Sequence, residues 1–268
     1  MSGEDSPVPS DGGCSSDTRG WLGTLRTVWD AVLDFILPAF CHLCQNPLGP
    51  GERIVCERCW TTATEPQKGG CPRCAYPLLP SEGSCPACAQ TAYAFKRVLV
   101  LGLYDGGLEQ LIRLMKYRPM PELAQRLGQC LGRRLAGDPL LRGTDAVVPV
   151  PLHSAKRRER GFCQATILAR EVAGCLDVRL EETVLRRAEW TKSQTTLSWA
   201  DRRQNVREAF VAGPGRRPHK QKVLLVDDVF TSGATADEAA RMLLDMGARE
   251  VLVAAVARTP PAAVGLQS

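Results

Sequence analysis

The chain has 268 residues, 44% of them hydrophobic and 24% charged, which excludes a disordered chain and leaves room for a medium domain beside a small module. No apolar run reaches the roughly eighteen residues of a spanning helix, so no membrane span is expected. The net charge is +5, but Pro151 to Lys222 holds 16 Lys/Arg against 8 Asp/Glu and the rest is net −3; a basic middle suits a phosphorylated ligand, a nucleic acid or solvated surface.

Residues 1–20 are polar and acidic and read as a disordered tail. They lack a basic start followed by an apolar run, so they do not read as a signal peptide, and a cytoplasmic location is expected. From Trp21 to Phe40, Leu22, Leu25, Trp29, Val32, Leu33 and Ile36 recur at helical spacing, and Pro38 stops the helix.

Eight of the twelve cysteines form four Cys-x-x-Cys pairs: Cys41/Cys44, Cys56/Cys59, Cys71/Cys74 and Cys85/Cys88. The gaps between pairs are eleven, eleven and ten residues. Each pair aims two thiolates at one ion, so eight thiols predict two tetrahedral zinc sites. The segment has few large apolar residues, and metal would supply much of its folding energy. Disulfides compete, but nothing points to export. A redox pair needs one such motif at a helix start rather than four in series. Iron–sulfur ligation has a different, tighter spacing. Eight ligands leave no open coordination position, so the sites are structural. Sequential pairing is the simplest arrangement, with a cross-braced one left open. Cys130, Cys163 and Cys175 read as core or interface thiols.

Arg97–Tyr104 reads as a strand, and Leu108, Leu111, Ile112 and Met115 mark a helix closed by Lys116-Tyr117-Arg118. Leu123–Leu135 is a second helix. Asp145–Pro151 is a short buried strand. The basic turn with Lys156, Arg157, Arg158 and Arg160 follows, then a helix from Gln164 to Ala173. Thr191–Phe210 is polar and reads as a surface loop. Lys222–Val226 is a buried parallel strand that ends in Asp227-Asp228-Val229-Phe230-Thr231-Ser232-Gly233-Ala234-Thr235. A helix from Ala236 to Met246 and a strand over Val251–Val256 complete a βαβ unit.

Ligands of open α/β sheets sit beyond the carboxyl ends of strands. In the 227–235 loop, Thr231, Ser232 and Thr235 offer hydroxyls, and Gly233 lets successive amides turn onto an anion. The next helix adds its positive end. Two adjacent carboxylates repel a phosphate, but they accept hydrogen bonds from vicinal hydroxyls or orient hydrated magnesium. The layout therefore suits a sugar 5-phosphate with free 2- and 3-hydroxyls. No Walker-type or dinucleotide-binding glycine motif is present.

Val223–Thr235 resembles the phosphoribosyl-pyrophosphate (PRPP) motif of type I phosphoribosyltransferases. The chain from about Trp29 to Thr259 resembles the ComF family of competence-associated proteins, with its ComFC and GntX-like members. The likeness rests on the paired Cys-x-x-Cys front, Tyr104, Leu114-Met-Lys116-Tyr117, Val148-Pro-Val-Pro151, Arg160-Gly-Phe-Cys-Gln-Ala165, Thr191-x-x-Gln194-x-x-Leu197, Arg202 or Arg203 with Asn205-Val206, and Ala209-Phe210. It implies an α/β fold, a type I phosphoribosyltransferase-like parallel sheet flanked by helices, behind a small zinc-ribbon-like module. The implied division is tail 1–20, helix and ribbon module 21–90, transferase-like domain 91–260 and tail 261–268.

The resemblance also implies roles. Asp227 and Asp228 would meet the ribose hydroxyls of PRPP with magnesium. Thr231, Ser232, Gly233, Ala234 and Thr235 would surround its 5-phosphate. Arg157, Arg158 and Arg160 would approach pyrophosphate, and Thr191–Phe210 would cover the site. Family members usually carry Asn where Cys163 stands, and a thiol lacks the two-sided hydrogen bonding of an amide. The implied setting is natural transformation, with single-stranded DNA and a competence helicase or recombination mediator as partners. Two classes of function follow: an enzyme that uses PRPP, or a non-catalytic DNA- or protein-binding accessory factor built on the transferase scaffold.

Overall fold

The computed structural model describes residues 39–66, 69–78, 83–89, 91–118, 120–152, 162–188 and 209–260. The expected helix from Trp21, the terminal tails, the basic turn and most of the Thr191–Phe210 loop lie outside the described residues. Two compact units divide the chain, residues 1–56 and 57–268.

In the first unit Phe40 is not helical but forms an antiparallel bridge with Pro47. Pro38 removes a helical donor just before it, and the chain enters the first cysteine turn extended. Cys41 N–H donates to Asn46 O at 2.8 Å and His42 N–H to Ile54 O at 3.1 Å.

In the second unit, helix α1 (Glu57–Ala63) and the single turn α2 (Pro86–Ala89) carry the later cysteines of each group. A five-stranded sheet follows. Its strands are β1 (Val98–Leu103), β2 (Ala146–Pro149), β3 (Arg179–Leu180), β6 (Lys222–Phe230) and β7 (Glu250–Arg258), in the order β1-β7-β6-β2-β3. Every pairing in it is parallel. Between the strands run α3 (Gly106–Tyr117), α4 (Pro121–Ala136), α5 (Gln164–Leu176) and α6 (Ala234–Asp245). A separate antiparallel pair joins β4 (Leu185–Arg187) to β5 (Phe210–Ala212).

Strands buried on both faces read as continuous apolar runs, and Val223 to Val226 and Val251 to Ala257 are all buried. Alternation splits them between two faces. Val223, Leu225, Val251, Val253 and Ala255 share one core with Ala236, Ala239, Ala240 and Leu243 of α6. Phe95 and the cysteines Cys71 and Cys74 belong to that same core. On the other side α5 packs on β2 and β6, and α4 packs closely on α5. That closeness needs small residues: a Cβ at Gly132 would stand 2.7 Å from Cys175 Cβ. Cys175 is thus a packing thiol, as expected. Cys130 is half-buried, and burial pushes its thiol pKa up.

Three differences from the sequence reading have local causes. The Lys222 strand does not stop at Val226 but continues to Phe230, because β7 runs beside it as far as Arg258. The first turn of α6 begins at Ala234, inside the expected loop. Phe210 is a buried strand residue on β5 rather than the end of a surface loop. The strands β3 to β5 have two or three residues each, too short for any periodicity to show.

Candidate functional site

The carboxyl ends of the strands meet at one edge. Leu103 and Phe230 are both in register with Arg258, and Pro149 with Val226. Val150 N–H donates to Val226 O at 2.8 Å, so the Val148–Pro151 turn lies beside the acid pair. Asp227 and Asp228 stand on the last part of β6, not in the loop. Thr231 and Ser232 are exposed at its end, Gly233 caps α6, and Ala234 and Thr235 open its first turn. Arg157, Arg158 and Arg160 lie outside the described residues.

The acid pair is electrostatically tense. Asp227 is half-buried, and its Oδ1 accepts the Asp228 N–H at 2.8 Å. Burial, then the Asp228 carboxylate beside it, pushes the Asp227 pKa up to about 8. Asp228 is held differently: Lys116 Nζ lies 3.1 Å from its Oδ2, and both side chains are less than one-fifth exposed. No functional assignment reached Lys116 from sequence, although a signal was there. Counting four residues on from Leu108 and Ile112 places Lys116 on the buried stripe of α3. A lysine on an apolar stripe calls for an inward partner.

The turn after β6 is shaped by Gly233, whose φ is +84°. A Cβ there would stand 2.5 Å from the Phe230 ring and 2.8 Å from the Tyr93 ring. Only glycine meets both the left-handed backbone and the close approach. Ser232 Oγ accepts the Ala234 N–H at 3.4 Å. Cys163 occupies the N-cap of α5 and makes no side-chain cap bond. An asparagine there could accept a first-turn N–H.

The eight front cysteines form two groups. Cys41, Cys44, Cys56 and Cys59 offer sulfurs within 4.8 Å of one another, and so do Cys71, Cys74, Cys85 and Cys88. The pairing is therefore sequential. A tetrahedral ion with Zn–S near 2.3 Å requires sulfurs about 3.8 Å apart. Cys44–Cys56, Cys71–Cys88 and Cys74–Cys85 lie at 3.8, 3.7 and 3.6 Å. A disulfide would need about 2 Å.

Each group has the same local turn. Gln45 and Ala75, directly after the second cysteine, have φ of 60° and 55°. Amides point at the leading sulfurs: Cys56 N–H to Cys41 and Arg73 N–H to Cys71, both at 3.4 Å. Burial opposes charge on Cys41, but the amides of Cys44, Cys56 and Leu43 outweigh it and lower the pKa to about 6. In the second group burial and neighbouring thiols push Cys88 up to about 11. Four thiolates so close repel one another, and a central dication removes that conflict. The donor set fits zinc, which would act here as a structural crosslink.

Residues 32–89 match the family described as double zinc ribbon domain. The DNA utilization protein YhgH of Escherichia coli (strain K12) is 32% identical over 230 residues, covering 83% of this chain and 98% of that protein. Competence protein F of Haemophilus influenzae is 30% identical over 170 residues, 62% of this chain and 74% of the relative. Among solved structures, the purine phosphoribosyltransferase from Pyrococcus horikoshii Ot3 overlays with a TM-score of 0.34 and 19% identity, covering 54% of this chain and 78% of that one.

Ribbons and sheet together define a parallel-sheet α/β protein fronted by two four-cysteine zinc sites. The chain belongs to the ComF family of competence-associated proteins, with the DNA utilization and competence F proteins as relatives. Among the described residues no helix is long and apolar enough to cross a membrane.

Proposed function

We propose that the edge formed by Asp227–Thr235 binds a ribose 5-phosphate, PRPP with magnesium above all, and that this binding serves DNA uptake and natural transformation. The observation that carries the reading is a buried-sheet strand that delivers two carboxylates and then a glycine turn onto a helix start. A carboxylate whose burial opposes its charge, beside one neutralised by a lysine, is costly to maintain without a ligand. Vicinal hydroxyls and magnesium satisfy the carboxylates, and the amides and hydroxyls of residues 231–235 take the phosphate. Arg157, Arg158 and Arg160 are assigned to the pyrophosphate end. If a phosphoribosyl group is transferred, the C1–pyrophosphate bond breaks as an acceptor bonds to C1, and these arginines stabilise the leaving charge.

The division into a ribbon module over 21–90 and a transferase-like domain over 91–260 belongs to the same reading. The DNA role draws on the names of the relatives at about 30% identity. It places single-stranded DNA, or a helicase or recombination mediator that carries it, among the partners. Titration of zinc-loaded protein with PRPP and magnesium by calorimetry tests the ligand. Saturable binding that is lost in the Asp227→Asn/Asp228→Asn double variant is expected. A folded wild type that binds nothing would leave the DNA-binding accessory reading. In that case salt-dependent binding of single-stranded DNA, unaffected by PRPP, is the expected result.

A further inference from the structure

Three successive carbonyls at the end of β6 are tied down by groups that do not belong to the loop. Phe230 O accepts the Thr259 N–H at 3.0 Å. Thr231 O accepts from Arg258 Nη1. Ser232 O accepts the Tyr93 hydroxyl at 2.9 Å. The described peptide bonds contain no cis form, and in a trans peptide the N–H points opposite to the C=O. The N–H groups of Ser232 and Gly233 therefore point away from Arg258 and Tyr93. Neither donates a hydrogen bond among the described residues. Left free, the same two peptides could turn their carbonyls outward and repel an anion.

The two side chains that fix these planes are themselves held by the second ribbon. Arg258 is 4% exposed. Its guanidinium lies 4.8 Å from the Phe230 ring centroid and 5.7 Å from that of Tyr76, just after Cys74. Its Nε has no hydrogen-bond partner, and no carboxylate pairs with it among the described residues. A buried guanidinium lacking a counter-ion adds positive potential behind the loop. Tyr93 stacks on Phe95 at 4.7 Å, and its carbonyl accepts from Arg73 Nη2 at 2.8 Å, inside the Cys71–Cys74 turn. Ala94 N–H bonds Asp237 Oδ1 at 2.5 Å, fastening the same segment to the first turn of α6.

We propose that Tyr93 and Arg258 are positioning residues that aim the Ser232 and Gly233 amides at a phosphate monoester, which makes the second zinc ribbon the back wall of the anion site. The inference rests on the sugar-phosphate reading above and adds the device that prepares the loop before a ligand arrives. It also gives the ribbon a role in binding besides that of folding the chain.

The test is the affinity of the zinc-loaded full chain for ribose 5-phosphate, with the Ser232 and Gly233 amide resonances followed by NMR. Tyr93→Phe keeps the ring and its stacking and removes only the hydroxyl. It is expected to weaken binding roughly tenfold, to shrink the ligand-induced shifts of the two amides, and to leave the melting temperature close to that of the wild type. Arg258→Lys, which keeps a cation but loses the planar fork, is expected to weaken binding at least as much. A wild type that binds while Tyr93→Phe binds equally well, with the same amide shifts, overturns the positioning role alone. A wild type with no affinity for ribose 5-phosphate or PRPP overturns the sugar-phosphate reading and this inference with it.

Discussion

The two cysteine groups are alike in their turns and unlike in their surroundings. Both follow a Cys-x-x-Cys turn with a left-handed residue, and both complete the site from a short helix. In the first group only Cys41 is buried, in a turn flanked by Asn46, Pro47 and Leu48. In the second, Cys71 and Cys74 are both buried and share the core of the parallel sheet with Tyr93, Phe95, Phe230 and α6. Val98 N–H also donates to Arg73 O at 2.7 Å, which ties the turn to the start of β1. Metal chemistry is set by cysteine spacing, whereas what a metal site supports is set by the apolar residues next to it.

The largest expected effect separates the two groups. Cys74→Ser is predicted to destabilise the 57–268 unit by more than about 4 kcal/mol, because it removes a ligand and leaves a polar group in the core. Cys44→Ser is predicted to leave the melting of that unit nearly unchanged, as read by thermal denaturation with near-ultraviolet circular dichroism. Equal losses in both variants would dissolve the distinction. Next is Lys116→Met, which strands the Asp228 carboxylate in a mostly buried place and is predicted to cost about 3 kcal/mol. Denaturant titration reads that loss.

Gly233→Ala follows, at about 2 kcal/mol, from the left-handed backbone and the clash with Phe230 and Tyr93. The ribbon-held rings resist the new methyl, so ligand affinity should fall along with stability. Smallest is Arg126→Ala on α4, predicted at about 1 kcal/mol. Its guanidinium sits 3.9 Å from the Trp60 ring centroid and pairs with Glu57 at 2.5 Å on the helix that carries Cys59.

Much of this was legible in the sequence, for identifiable reasons. Cysteine spacing predicts both metal groups, and the simplest pairing is the one found. Continuous apolar runs at Lys222–Val226 and Val251–Val256 predict the central parallel strands, though not their continuation to Phe230 and Arg258. That continuation arises from pairing between strands distant in sequence, which local patterns do not carry. The acid pair and Gly233 stand out because charge and a turn residue interrupt an apolar run. Lys116 left the signal of a lysine on an apolar stripe, but Tyr93 and Arg258 are different. Each is one ordinary residue elsewhere in the chain, Tyr93 ahead of β1 and Arg258 at the end of β7, brought to the loop only by the tertiary fold.

Asp227 offers the most direct test. Its pKa is raised in the folded state, so the folded chain binds a proton that the unfolded chain has released. Stability should therefore fall as pH rises from about 4 to about 8. Asp227→Asn removes that liability and should raise stability at neutral pH by on the order of 1 kcal/mol. The decisive measurement is the melting temperature of wild type and Asp227→Asn at pH 7, each with and without PRPP and magnesium. The site described here predicts that ligand raises the wild-type value, while the variant starts higher and does not respond. A variant that melts lower than the wild type and still gains stability from the ligand would contradict it.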